Sequence, residues 1–118
     1  MKISRVAELL EAEIVCCPEM ADNEVNSACG SDMMSDVLAF VKDQAVLLTG
    51  LVNPQVIRTA EMMDMRCVVF VRSKKPSEAM LQLASESGIV VLTSKFRMYE
   101  ACGVLYASGL NTLRPTNE

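Results

Sequence analysis

A chain of 118 residues can bury one ordinary core and is too short for two full domains, and 51% hydrophobic against 22% charged residues excludes a disordered polymer. Its net charge of −4 and pI near 4.8 argue against a general nucleic-acid binder, because phosphate contacts need a Lys/Arg surface. The one basic cluster, Arg72 with Lys74 and Lys75, reads as a solvated turn.

Met1 to Arg5 run straight into a helical pattern without a signal-peptide core. No stretch has the roughly 18 unbroken apolar residues of a membrane span, so a cytoplasmic protein away from membranes is expected. Ser4 is the expected cap of a first helix with Val6, Leu9 and Leu10 inward, and Ile3 stands before it as a hydrophobic staple. Glu13 to Cys16 reads as a short strand, Pro18 to Asn23 as a polar turn, and Val25 to Cys29 as a second strand diluted by Asn26 and Ser27. After the turn Gly30-Ser31-Asp32, either Ser31 or Asp32 is the expected cap of a helix through Met33, Met34, Val37, Leu38 and Val41, ended by Lys42-Asp43-Gln44.

The chain is organised around Ala45 to Val71. Ala45-Val46-Leu47-Leu48-Thr49 and Cys67-Val68-Val69-Phe70-Val71 are apolar runs without alternation, as in parallel strands covered on both faces. Between them Asn53-Pro54 signals a helix start, with Val56, Ile57, Ala60 and Met63 on one face. Pro76 is expected in the first turn of a helix reaching Ser87, with Met80, Leu83 and Ala84 inward and Gly88 as its stop. Ile89 to Leu92 reads as the last strand, and Thr93 as the cap of a closing helix that runs to about Ser108 and stops at Gly109.

That helix carries two apolar stripes, Met98-Ala101-Cys102-Leu105 and Phe96-Tyr99-Gly103-Tyr106. A surface helix needs only one, so it is either deeply packed or a subunit interface with Phe96, Tyr99, Gly103 and Tyr106 facing the partner. The expected architecture is α/β, a three-layer α/β/α sandwich with a largely parallel sheet of four or five strands. Residues 1–110 form one domain in this reading and residues 111–118 a frayed polar tail.

Ligands of open α/β sheets bind beyond the carboxyl ends of the strands. Those loops carry Ser31, Asp32, Thr49, Gly50, Asn53, Arg72, Thr93 and Lys95, with Arg72, Lys74 or Lys95 available to neutralise a phosphate. Equally, Thr49, Asn53 and Thr93 could only cap and turn, and no phosphate-loop string exists. Asp32 and Asp36, four apart, suit a weak cation site or acid/base pair, or simply a helix start. The chain has no histidine, which excludes a Ser-His-Asp triad. Five scattered cysteines without CxxC spacing read as buried free thiols, so no metal site is assigned.

Leu48-Thr49-Gly50, Asn53-Pro54, the helix with Arg58 and Ala60, Val68 to Val71 and Thr93 together resemble the DRTGG domain, a family similar to the N-terminal domain of HPr kinase/phosphorylase. The resemblance runs from the first helix to about Leu110. It departs at Leu51, where the second glycine of the pattern would fall, and in the Asp-Arg part, whose nearest stretch is Cys29 to Asp36. Such domains occur alone, in phosphotransacetylases, and between CBS domains of nucleotide-regulated pyrophosphatases. The resemblance implies a non-catalytic regulatory or interaction module, homodimeric, without a catalytic cofactor and with a nucleotide, an adenine nucleotide first, or another small anionic metabolite as its candidate regulatory ligand. The alternatives are an adaptor that binds another protein without a ligand, and a small enzyme using Asp32, Asp36, Arg58 or Lys95 on a phosphorylated substrate.

Overall fold

The two unbroken apolar runs become adjacent central strands. In the computed structural model, which describes residues 1–40 and 44–110, β3 (Ala45–Thr49) and β4 (Cys67–Phe70) are buried along their whole length and pair in parallel, Val46 opposite Cys67. β2 (Ser27–Gly30) flanks β3 and β5 (Val90–Thr93) flanks β4, both parallel. β1 (Glu13–Cys16) closes one edge antiparallel to β5, giving the order β1-β5-β4-β3-β2.

Helices cover both faces. α3 (Pro54–Met62) packs against α2 (Met34–Phe40), β4 and α4 (Glu78–Ser87), and α4 also meets β1 and β5. Right-handed crossovers put these three helices on one face. α5 (Met98–Ala107) returns across β2 and β3 beside α1 (Ile3–Leu9), covering the other. The expected α/β/α sandwich with a mostly parallel sheet is therefore present. Close approach of α5 to the sheet needs Gly30, where a Cβ would lie 2.6 Å from Cys102 Sγ.

Several local expectations hold for the stated reasons. Asn53 Oδ1 accepts from the Gln55 N–H at 2.8 Å with Pro54 opening α3, and Gly88 ends α4 at φ 69°. Others are corrected by tertiary hydrogen bonds. Ser4 lies inside α1, because the Ile3 and Ser4 N–H groups donate at 2.9 Å to the carbonyls of Asn23 and Ala21, so carbonyls from another turn replace a side-chain cap. Pro76 sits outside α4, whose cap is Ser77. The second strand begins two residues later than expected, at Ser27, after Val25 has paired with Met1. In α2, Val37 is buried but Leu38 is exposed, and Met33, expected within the helix, precedes it and is exposed too. Val41, Lys42, Asp43 and the tail 111–118 lie outside the described residues.

Thr59 is fully buried in α3, and among the described residues its hydroxyl has no hydrogen-bond partner. Burying an unpaired hydroxyl costs free energy that a methyl group of the same shape does not. Thr59→Val is therefore expected to stabilise the fold by about 1 kcal/mol, raising Tm by about 4 °C. A melting scan in which the variant is less stable than the parent would contradict this.

Candidate functional site

The carboxyl rim of the sheet is assembled from three loops. At the end of β2, the Asp32 carboxylate turns towards β3, where its Oδ1 accepts from Thr49 Oγ1 at 3.0 Å and from the Gly50 N–H at 2.7 Å. The Thr49 hydroxyl in turn accepts from the Leu51 N–H at 3.1 Å. A strand-end cradle of backbone and hydroxyl donors is thus filled by a carboxylate from the chain itself. Neither Ser31 nor Asp32 caps α2. The first helical hydrogen bond runs from the Val37 N–H to Met33 O, and Ser31 folds onto Met33, whose N–H it accepts at 3.0 Å.

The third loop brings Arg72. A Cβ on Gly50 would collide with its guanidinium, so the absence of a side chain there lets the cation lie over the strand end. Arg72 and the next residue, Ser73, both adopt φ of 58°, a left-handed conformation costing non-glycine residues on the order of 1 kcal/mol each. Hydrogen bonds hold it: the Arg72 N–H donates to Phe96 O at 2.8 Å and the Ser73 N–H to Ser94 O at 2.9 Å. Consecutive helices leave β4 and β5 towards opposite faces, which ordinarily opens a ligand crevice between those strands. Here the same two hydrogen bonds tie the β4 and β5 loops together, and the guanidinium lies over Gly50 at the end of β3. Arg72 is exposed, and among the described residues its charge has no ion-pair partner.

Thr93 and Lys95 belong elsewhere. Thr93 is the last residue of β5, opposite Glu13, and Thr93 and Lys95 line a separate hollow with Glu11, Glu13, Ser73 and Lys75. Thr93 does not cap the closing helix, because α5 starts at Met98 with Arg97 in the cap position. The residue that shapes this turn is Ser94, which sequence reasoning passed over. Only 2% exposed, it donates through Oγ to Leu10 O at 2.8 Å and accepts from the Phe96 N–H at 3.1 Å. The adjacent Thr-Ser pair offered two equally good capping side chains, and nothing local reveals that the second reaches α1. Asn53 acts as the cap of α3.

Of the side chains named for the small-enzyme alternative, Asp32, Arg58 and Lys95 stand in three different places. Arg58 lines a groove between α3 and α4 with Glu61 and Glu86, Lys95 faces the β5 hollow, and Asp32 is engaged by Thr49 and Gly50. No group of three or more His, Cys, Asp or Glu side chains that could hold a metal ion occurs among the described residues.

Burial pushes the Cys16 thiol up to about 11, with Cys17 and then Glu19 adding to it, and burial alone drives Cys67 far above its ordinary value of 9.0. Cys29 and Cys102 are raised by burial too. The unfolded thiols ionise near pH 9 while the folded ones stay protonated, so the native state binds more protons and stability falls as pH rises above about 9. The fully buried Cys67 adds up to about 1.4 kcal/mol per pH unit to this loss until its folded pKa is reached. Cys67→Val should flatten the decline between pH 9 and 11 in urea titrations; an equally steep profile would contradict the assignment.

Comparison with known proteins agrees with this fold. The sequence profile of the DRTGG domain matches residues 5–108. The chain belongs to the DRTGG domain family. Among curated proteins none matches the sequence. A solved structure with the same fold contains the CBS and DRTGG domains of the regulatory region of Clostridium perfringens pyrophosphatase, complexed with its activator, diadenosine tetraphosphate. The two superpose with a TM-score of 0.70 at 14% identity, over 88% of this chain and 45% of that one. This DRTGG domain therefore spans less than half of the pyrophosphatase fragment it resembles. Among its described residues no helix is long and apolar enough to cross a membrane.

Proposed function

We propose that this DRTGG domain is a non-catalytic regulatory module of the cytoplasm that senses a small anionic ligand at the carboxyl rim of its sheet. The observation that carries the reading is the Arg72 guanidinium, without an ion-pair partner among the described residues, held by a strained turn directly over Gly50 at the strand end where Thr49 and Gly50 already bind the Asp32 carboxylate. A cation over exposed backbone suits a phosphate, which Arg recognises through paired hydrogen bonds. An adenine nucleotide is the first ligand to test, because the similar pyrophosphatase region is complexed with a dinucleotide activator.

The test is calorimetry and thermal shift with ATP, AMP, diadenosine tetraphosphate and inorganic phosphate. Gly50→Ala should change stability little, since the group it meets is the far end of a flexible side chain, yet it swings the guanidinium away. Arg72→Ala removes the charge altogether. Both are expected to weaken binding about tenfold or more, equivalent to about 1.4 kcal/mol. Binding that is unchanged in both variants would move the site away from this rim. No response to any of the four compounds would overturn sensing of these phosphates.

A second reading, self-association through α5, has its own observation. Tyr99 is 93% and Tyr106 55% exposed, Gly103 is open to solvent, and the three share one helical face. Phe96 departs from that set, being partly buried against the core. Light scattering should then give a dimer for the parent and a folded monomer for Tyr99→Ala/Tyr106→Ala. A dimer that persists in the double variant would remove α5 as its interface, and a monomeric parent would leave this face to a different protein partner.

A further inference from the structure

In an extended strand consecutive side chains point to opposite faces of the sheet. Cys16 and Cys17 do not. The pairing of β1 with β5 slips register between Ile14 and Cys16, and Cys17 takes φ 55° and ψ 48°. Ordinary residues avoid that left-handed region, and a residue preceding proline, here Pro18, is steered towards extended backbone. The two departures turn both thiols towards α4: Cys16 Sγ lies 3.6 Å from Leu81 O and Cys17 Sγ 4.0 Å from Ala84 O. The two sulfurs are 3.6 Å apart. Each residue is 8% exposed, but β1 is an edge strand, unlike the central β4 that encloses Cys67.

We propose that Cys16 and Cys17 form a two-thiol site for a soft, three-coordinate thiophilic centre, the class represented by monosubstituted trivalent arsenicals. The spacing selects this class. Bonds of about 2.3 Å from one centre to two sulfurs, meeting at about 100°, span the observed 3.6 Å. A linear two-coordinate ion would hold the sulfurs about 4.6 Å apart on the same bond length. Structural zinc takes four protein ligands, and no set of three or more His, Cys, Asp or Glu side chains surrounds the pair among the described residues. A pyramidal arsenical brings its own third substituent. In its oxide form, both thiols lose their protons, two arsenic–sulfur bonds form, and the oxygen leaves with the two protons as water. Arsenic stays trivalent and no oxidant enters.

Phenylarsine oxide titrated into the folded protein, free of other thiols, is expected to add once per chain and to remove two titratable thiols, read by intact mass and thiol counting. Cys16→Ser and Cys17→Ser, checked for folding by circular dichroism, should each weaken uptake about 100-fold or more, as expected when a chelate becomes a single bond. Cys29→Ser and Cys102→Ser should leave it unchanged. In the parent protein, bound arsenical should also shield the peptide carrying Cys16 and Cys17 from alkylation, which keeps the test decisive if a variant fails to fold. Uptake that survives Cys16→Ser or Cys17→Ser, that appears only after unfolding in urea, or that shields a different cysteine overturns the proposal.

Discussion

Ser94→Ala is expected to destabilise the domain by about 2–3 kcal/mol, lowering Tm by about 8–12 °C for a chain of this size. The hydroxyl is buried and serves two groups at once, the carbonyl that ends α1 through Leu10 and the Phe96 N–H that starts the approach to α5. Removing it strands both, and an orphaned buried partner costs more than the bond itself was worth. The same turn supplies the carbonyls of Ser94 and Phe96 that hold Arg72 and Ser73 in their left-handed conformation. Loosening it should therefore also weaken ligand binding at the rim, far from the substitution. Ser94→Thr retains the hydroxyl and should recover part of the stability. A Tm within 2 °C of the parent for the alanine variant, by this reasoning, would mean that water enters and satisfies both groups.

The second large effect concerns Asp32. Its carboxylate occupies the donors of Thr49 and Gly50 as a tethered anion, and its charge opposes any other anion drawn to Arg72. Asp32→Asn keeps an oxygen for both donors and removes the charge. At an effective dielectric between that of a protein surface and that of water, one unit charge at this range is worth about 1–2 kcal/mol, so phosphate and nucleotide affinity should rise about tenfold. Asp32→Ala gives up the hydrogen bonds as well and should cost about 1–2 kcal/mol of stability. Titrations at two salt concentrations separate the cases, since a charge effect shrinks with screening while a lost hydrogen bond does not. An Asn variant with parental affinity would mean that the ligand does not approach this strand end.

Much of the fold was legible because it follows from local chemistry. Unbroken runs such as Val46–Leu48 and Cys67–Phe70 can only be buried on two faces, and Asn53-Pro54 and Gly88 start and stop helices through their own backbone preferences. The rim was legible only as a set of loops. Asp32 and Asp36 were weighed as a pair on one helix, yet Asp32 lies outside α2 and reaches across to β3. Thr93 was read as the cap of the closing helix, but that helix starts only at Met98, and the hydroxyl that organises the turn is that of Ser94, through Leu10, 84 positions away. Ser4 lost its capping role in the same way, to the carbonyls of Ala21 and Asn23.

Periodicity and turn chemistry, then, determined the class of fold and the buried strands, since these depend on burial and on residues close in the chain, and the rim proposed to hold a ligand follows from the class of fold. Which side chains meet there depended on long-range packing. The hydrogen bonds that tie the β4 and β5 loops together hold Arg72 over Gly50, and the β1 register slip with left-handed Cys17 brings two thiols to one side. Both arrangements put non-glycine residues in conformations that their own local preferences disfavour, which is why no local reading of the chain could anticipate them.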